Sequence, residues 1–397
     1  MKAVIPLDVI YTVATRVLLV IAQLFIFILV LKSYGTEPAG YYSLAMGTFS
    51  LFLMVSTFTI SKFVVVRYKR RSYTFFFSVV LWAVIGCFFV LTLSGLYFDE
   101  LSLTLLYSFY FVKVFDFYNE INLIYYRRRS REKELFFIQL TRSVLAVVIL
   151  ISAIKLGVEI YYAFMVISLL YLPFFILGSL SFKLNFHKVF SSYSLLAYKQ
   201  MYKDGWPNGV NGSLSTAYTN SPKYAVGLFL SLDAVAIYSL VAYSYTTLCT
   251  LGSMLLQVYF SKVEDIKTYW FNSVRLFMAL TTIVITMLSL ITLFIAEPLY
   301  NEFFSYKVEG FSYFCSLMML LAAPLISRDF FSYYLIKVNK ISINNFSVLI
   351  AIVLFWLLTI LSFKELKLID ISIYMLSSAI ISLGVIGYLT FNTRLTV

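Results

Sequence analysis

Six cations, Arg16, Lys113, Arg142, Lys223, Arg275 and Arg328, fall inside long apolar stretches of this chain. In the hydrocarbon core of a bilayer such a charge costs at least ~2.5 kcal/mol, so it faces a partner or a watery cavity unless it snorkels to the interface. Arg275 lies about one turn from an interface and snorkels, which removes it from the functional set. Arg16, roughly 10 Å into its stretch, and Arg142, similarly placed, just reach the inner headgroups, so both a snorkelling and a functional role stay open. Lys113 is too central to snorkel, and Asp116 and Glu120 follow it at i+3 and i+7 on one helix face. A Lys113–Asp116 pair would neutralise itself, while Glu120 leaves a net negative charge that suits a proton- or cation-responsive site. Lys223 follows Pro222, where the missing backbone N–H predicts a helix bend. Arg328 and Asp329 are adjacent, hence about 100° apart on a helix, so each calls for a partner elsewhere. Arg16, Arg142, Lys223 and Arg328 are therefore candidates to hold an anionic group. Lys113, Asp116, Glu120 and Asp329 are candidates for ion coupling.

Other chemistries find little support. The single histidine, His187, lies between apolar stretches, and Cys87, Cys249 and Cys315 lie within them without metal-ligand spacing, so neither a nucleophilic triad nor a metal site is expected. The expectation is a protein that is not an enzyme and has no cofactor.

The elements that position these residues are membrane helices. Of 397 residues, 61% are hydrophobic and 13% charged, and the mean hydropathy is +0.89. That leaves too little polar residue to cover a soluble globule. Apolar stretches long enough to cross a bilayer recur at 9–33, 39–61, 73–95, 101–124, 135–154, 160–182, 206–230, 234–260, 270–295, 310–336, 342–363 and 369–391. The pattern predicts an all-α polytopic membrane protein of about 12 transmembrane helices in two six-helix halves, 1–182 and 206–397, joined by a cytoplasmic connector at 183–205. An internal echo supports the duplication. Gly35 to Leu44 and Ser231 to Leu240 lie at the same point of each half, with Glu37 matching Asp233, Tyr42 matching Tyr238 and Ser43 matching Ser239. Asp116-Phe117-Tyr118 and Asp329-Phe330-Phe331 form a second, shorter match.

Charge sets the orientation. With both termini inside, the inner segments hold Lys62, Arg67, Lys69, Arg70, Arg71, Arg127 to Arg129, Arg131, Lys133 and further cations, whereas the outer ones hold Lys32, Lys155, Lys307, Lys364 and Lys367. Cytoplasmic loops are enriched in Lys and Arg. The net charge of +12 is spread over these inner segments and suits membrane lipids rather than nucleic acid.

The turn Gly35 to Tyr42, the Gly205-Trp206-Pro207-Asn208-Gly209 entry to the seventh span and the run Asn220 to Gly227 resemble the polysaccharide transporter family, and within it the Wzx-type O-antigen flippases. That family belongs to the superfamily of multidrug, oligosaccharidyl-lipid and polysaccharide exporters. One departure is Ala236 where the first half has Gly40. The resemblance implies a multi-pass protein of the bacterial inner membrane. It would move undecaprenyl-pyrophosphate-linked oligosaccharide to the periplasmic leaflet by alternating access, alongside a polysaccharide polymerase and a chain-length regulator. Under it, Arg16, Arg142, Lys223 and Arg328 meet the pyrophosphate, and H+ or Na+ acts at Asp116 or Glu120. The alternative is an ion-coupled drug or metabolite exporter of the same fold.

Overall fold

The computed structural model describes residues 7–57, 73–94, 100–128, 131–181, 193–262, 266–303, 310–338 and 340–394. All regular structure among them is α-helical: α1 (Leu7–Tyr34), α2 (Thr36–Thr57), α3 (Tyr73–Ser94), α4 (Glu100–Arg128), α5 (Glu132–Lys155), α6 (Ile160–Ser181), α7 (Tyr193–Phe229), α8 (Leu232–Lys262), α9 (Ile266–Phe303), α10 (Phe311–Leu320), α11 (Ala322–Lys337), α12 (Ser342–Leu361) and α13 (Leu368–Arg394). Helices are what a bilayer permits, because each backbone polar group is then satisfied within its own segment. Eight stretches among the described residues are long and apolar enough to span a membrane, α10 and α11 together forming one of them. Among the expected spans outside that set, the helices α4 and α7 are diluted by their own polar residues, Lys113, Asp116 and Glu120 in one and Asn208, Asn211, Asn220 and Lys223 in the other. A further difference from expectation lies in the 183–205 stretch. From Tyr193 onward it is already α7, which continues without interruption through Pro207 and Pro222 to Phe229.

The chain forms two compact units, Met1–Thr216 and Ala217–Val397, the division falling within α7. In the first unit α1 packs along α5, α4 along α6, and α2 against α3 and α4. Tyr42 of α2 is the centre of this packing. Its ring meets Phe109 of α4 edge-on at 5.1 Å and Phe164 of α6 at 5.2 Å, and those two rings meet each other at 4.8 Å. Gly35, at φ 98°, makes the tight passage from α1 to α2, a left-handed conformation that side chains resist. The Tyr34 hydroxyl beside it donates to Val158 O at 2.8 Å, fixing the end of α1 to the turn between α5 and α6.

In the second unit α8 packs on α10 and α11, α9 on both of those helices, and α13 on α10, α11 and α12. Small hydroxyl residues join helices where no water competes. The Ser347 and Ser382 hydroxyls share a hydrogen bond at 2.7 Å between α12 and α13, and those of Ser289 and Ser316 do so at 2.8 Å between α9 and α10. Gly252 lets α8 approach α11 so closely that a Cβ there would stand 2.8 Å from the Ile326 side chain. The residues matched in the sequence echo have one environment: Tyr42 and Ser43 in α2, and Tyr238 and Ser239 in α8, are all buried.

Candidate functional site

The candidate residues fall into two polar clusters, one in each unit. In the first unit Arg142 of α5 forms an ion pair with Asp116 of α4. The guanidinium also lies 3.8 Å from the centre of the Tyr171 ring on α6, a cation–π contact that gains strength away from water. Arg142 is buried, with 5% of its side chain exposed, whereas 24% of the Asp116 side chain is exposed. The pair therefore opens on the carboxylate side. A small cavity next to it is lined by Phe115, Asn122, Arg142, Tyr171, Phe174 and Phe175. The antiparallel course of α4 and α5 brings the two charges to one level, a contact across helices that supplements whatever Lys113 contributes along α4.

Lys113 and Arg16 are both half-buried and engaged with neighbours. Glu120 lies on α4, and its side chain, like that of Arg275, is outside the described ones.

The second cluster is built on α11. Arg328 and Asp329 diverge, as adjacent helical residues must. Asp329 accepts a hydrogen bond from Ser253 of α8. Arg328 is 5% exposed, with its guanidinium 5.2 Å from the centre of the Tyr218 ring on α7, and its Nη1 is buried without a hydrogen-bond partner. Tyr218, fully buried, is fixed by its hydroxyl, which lies 2.9 Å from Ser378 Oγ and donates to Met375 O at 3.1 Å. Four residues further along α7, Pro222 is buried, and Lys223 next to it is half-buried and engaged with neighbours. The Ser221 hydroxyl returns to Ala217 O at 2.8 Å and accepts from Trp356 Nε1 of α12 at 3.2 Å.

The matched aspartates thus do different work. Asp116 neutralises an arginine of the next helix, whereas Asp329 turns to a hydroxyl and leaves the guanidinium beside it facing an aromatic ring. The first cluster is close to neutral, and the second holds a buried cation whose Nη1 has hydrogen-bonding capacity to spare. That is an arrangement for receiving an anion. Near the start of α8 in the same unit, α8, α9 and α10 border an open apolar cavity of about 400 Å³ whose lining includes Val241, Ile295, Tyr300, Cys315 and Met319. Ser244 donates to Val241 O at 2.5 Å and Thr292 to Leu288 O at 2.7 Å, and the lining is otherwise mostly apolar, so it suits hydrocarbon.

Tyr171, Ser253 and Ser378 do not stand out in the sequence, where 32 tyrosines compete for attention. Among the described residues there is no group of three or more His, Cys, Asp or Glu placed to hold a metal ion.

No protein-family model and no curated protein matches the sequence. Solved structures match over nearly the full length. The lipid II flippase MurJ in an inward closed conformation superposes with a TM-score of 0.71 at 15% identity, covering 96% of this chain and 87% of that one. A multidrug resistance MATE family transporter of the MOP superfamily, in its inward-facing conformation, gives a TM-score of 0.60 at 13% identity, covering 100% of this chain and 96% of that one. A MOP superfamily transporter from Pyrococcus furiosus, whose reversed binding-pocket polarity is taken to suggest a different function, gives 0.59 at 14% identity, covering 98% and 94%. The class defined is therefore the fold of the MOP-superfamily membrane transporters, shared by MATE transporters and the lipid II flippase alike. At these identities the likeness is one of fold.

Proposed function

We propose that this chain is an alternating-access membrane transporter, not an enzyme, and that its cargo carries an anionic group. The observation that carries the proposal is Arg328, a buried guanidinium over Tyr218 whose Nη1 lacks a partner while the neighbouring carboxylate bonds elsewhere. A charge kept in the membrane interior at a cost in stability marks a functional site.

An ion-coupled exporter of drugs or metabolites is supported by the several MATE transporters among the matching structures. The unpartnered Nη1 of Arg328 adds that the compound exported is an acid. A second reading is favoured by the same residue together with the apolar cavity of α8, α9 and α10: transfer of an undecaprenyl-pyrophosphate-linked oligosaccharide from the inner to the outer leaflet. The guanidinium would take the pyrophosphate, with Lys223 as a further contact, and the cavity would accept part of the chain. Arg142 is assigned a lesser part in either case, because Asp116 already neutralises it.

We further propose that the twelve spans form two six-helix halves that rock against each other. The recurrent packing supports this: α2 with α4 and α4 with α6 in one unit, α8 with α11 and α11 with α13 in the other. The inner-membrane location, the coupling to H+ or Na+ and the partnership with polysaccharide enzymes belong to this proposal as well.

The test is a cargo panel in proteoliposomes of the purified chain: a fluorescent polyprenyl-pyrophosphate oligosaccharide, an anionic dye and an organic-cation dye, each with and without an ion gradient. Movement of either anionic probe supports the proposal and separates its two forms. Movement of the cation alone refutes the anionic-cargo reading, and movement of none refutes the transporter.

A further inference from the structure

The inward face of α5 carries polar atoms for which the ion pair gives no account. Glu132, Leu135, Gln139, Arg142, Ser143, Ala146, Leu150 and Ala153 are the buried residues of this helix. Gln139 has no exposure, and both its amide oxygen and its amide nitrogen are buried without a hydrogen-bond partner. Glu132, 8% exposed at the start of the helix, buries Oε2 in the same condition. Buried polar groups are satisfied almost without exception, by protein or by ordered water. An amide that has both a donor and an acceptor open is a natural station for a chain of water molecules. Gln139 lies about 10 Å, and Arg142 about 15 Å, along the axis from Glu132. The polar column thus runs from the end of α5 nearest the Arg127 to Arg131 cluster, the inner end by the charge bias, up to the Asp116–Arg142 pair.

We propose that this face of α5 is a water-bridged proton path joining the inner aqueous phase to Asp116, with Glu132 as its entry and Gln139 as its relay. The step at its end is a simple one. A proton from the water chain bonds to a carboxylate oxygen of Asp116, and the ion pair becomes a neutral carboxyl beside a guanidinium that stays charged. The first unit then gains one positive charge. Among the described residues, the charged and titratable groups named by contact or helix spacing around Asp116 are Arg142 of α5, Tyr171 of α6 against that guanidinium, and Lys113 on α4 itself, with Glu120, undescribed in its side chain, one turn further along. The one charged residue of α2, Glu37, lies at its far end, and α3 has none. Arg16 is the charged residue of α1, which packs along α5, nearest to this level. A proton taken up here leaves the charge of Arg142 uncompensated, which supplies the coupling step of the transport cycle proposed above. The inference rests on that reading for its purpose and not for its test.

The experiment follows proton uptake by the full chain in detergent after a pH jump. A soluble pH dye gives the rate, and infrared difference spectra report the protonated carboxyl band. Wild type is expected to show a carboxyl band that Asp116→Asn lacks. Gln139→Leu is expected to take up the same proton at least tenfold more slowly, and Glu132→Gln to slow it as well. Gln139→Met, nearly isosteric, replaces Gln139→Leu if the latter does not fold, and Gln139→Glu restores the rate. Uptake at the wild-type rate by folded Gln139→Leu or Gln139→Met overturns the path, and a carboxyl band unchanged in Asp116→Asn overturns its end point. No cargo is needed, so a chain that takes up the proton but moves nothing would contradict the proposed function alone.

Discussion

Arg328 and Arg142 show how one residue type with similar burial acquires opposite meanings. Arg142 has a carboxylate and an aromatic ring, so removing it strands Asp116. Breaking one side of a buried ion pair costs about 3–5 kcal/mol, the lower end applying here because Asp116 is a quarter exposed. Arg142→Ala should therefore lower the thermal midpoint strongly, and Arg142→Gln combined with Asp116→Asn should recover most of the loss. A double mutant no better than the single one would mean that the pair is not what the guanidinium contributes. Arg328 reads the other way, since its charge is paid for without a carboxylate. Arg328→Met should raise stability by on the order of 1 kcal/mol while transport falls at least tenfold, the trade expected of a site held against its own stability. Tyr218→Phe, which keeps the ring under Arg328 but loses the hydroxyl bonds to Ser378 and Met375, should cost about 1 kcal/mol with transport largely kept.

Close helix contacts are the feature of the elements least visible in the sequence. A membrane helix is announced by its run of apolar residues, which is why α1, α5, α6, α12 and α13 lie close to where composition puts them. The start of α7 was not legible, because Tyr193 to Gly205 mixes charge and helix formers in a manner that fits a connector equally well. Nor was the pairing of Asp116 with Arg142: the spacing along α4 pointed to Lys113, and only the alignment of two antiparallel helices brings Arg142 to that carboxylate. The divergence of Arg328 from Asp329 was legible, since it follows from helix geometry alone, but Tyr218 and Ser253 as their neighbours were not. Gly252 belongs to the same group. Because a Cβ there meets Ile326, Gly252→Val should separate α8 from α11 at a cost of about 1–3 kcal/mol in thermal unfolding, and Ile326→Ala in the same chain should return part of it. An unchanged midpoint in the single variant would show that the contact is loose.

The molecule as a whole joins two units of like packing that carry unlike charge. Tyr42 and Tyr238 are both buried, and Asp116 and Asp329 match in the sequence echo, yet one unit neutralises its arginine and the other does not. Under the two proposals made above, one unit serves a coupling ion and the other the cargo, and proton uptake at Asp116 and anion capture at Arg328 are two terms of one cycle. The most direct measurement is uptake of the anionic probes by proteoliposomes containing wild type or Arg328→Met at equal amounts of folded protein. The account predicts movement by wild type and at least a tenfold loss in the variant, with the variant no less stable. Anionic probes that move equally well in both would contradict it, as would transport confined to the organic cation.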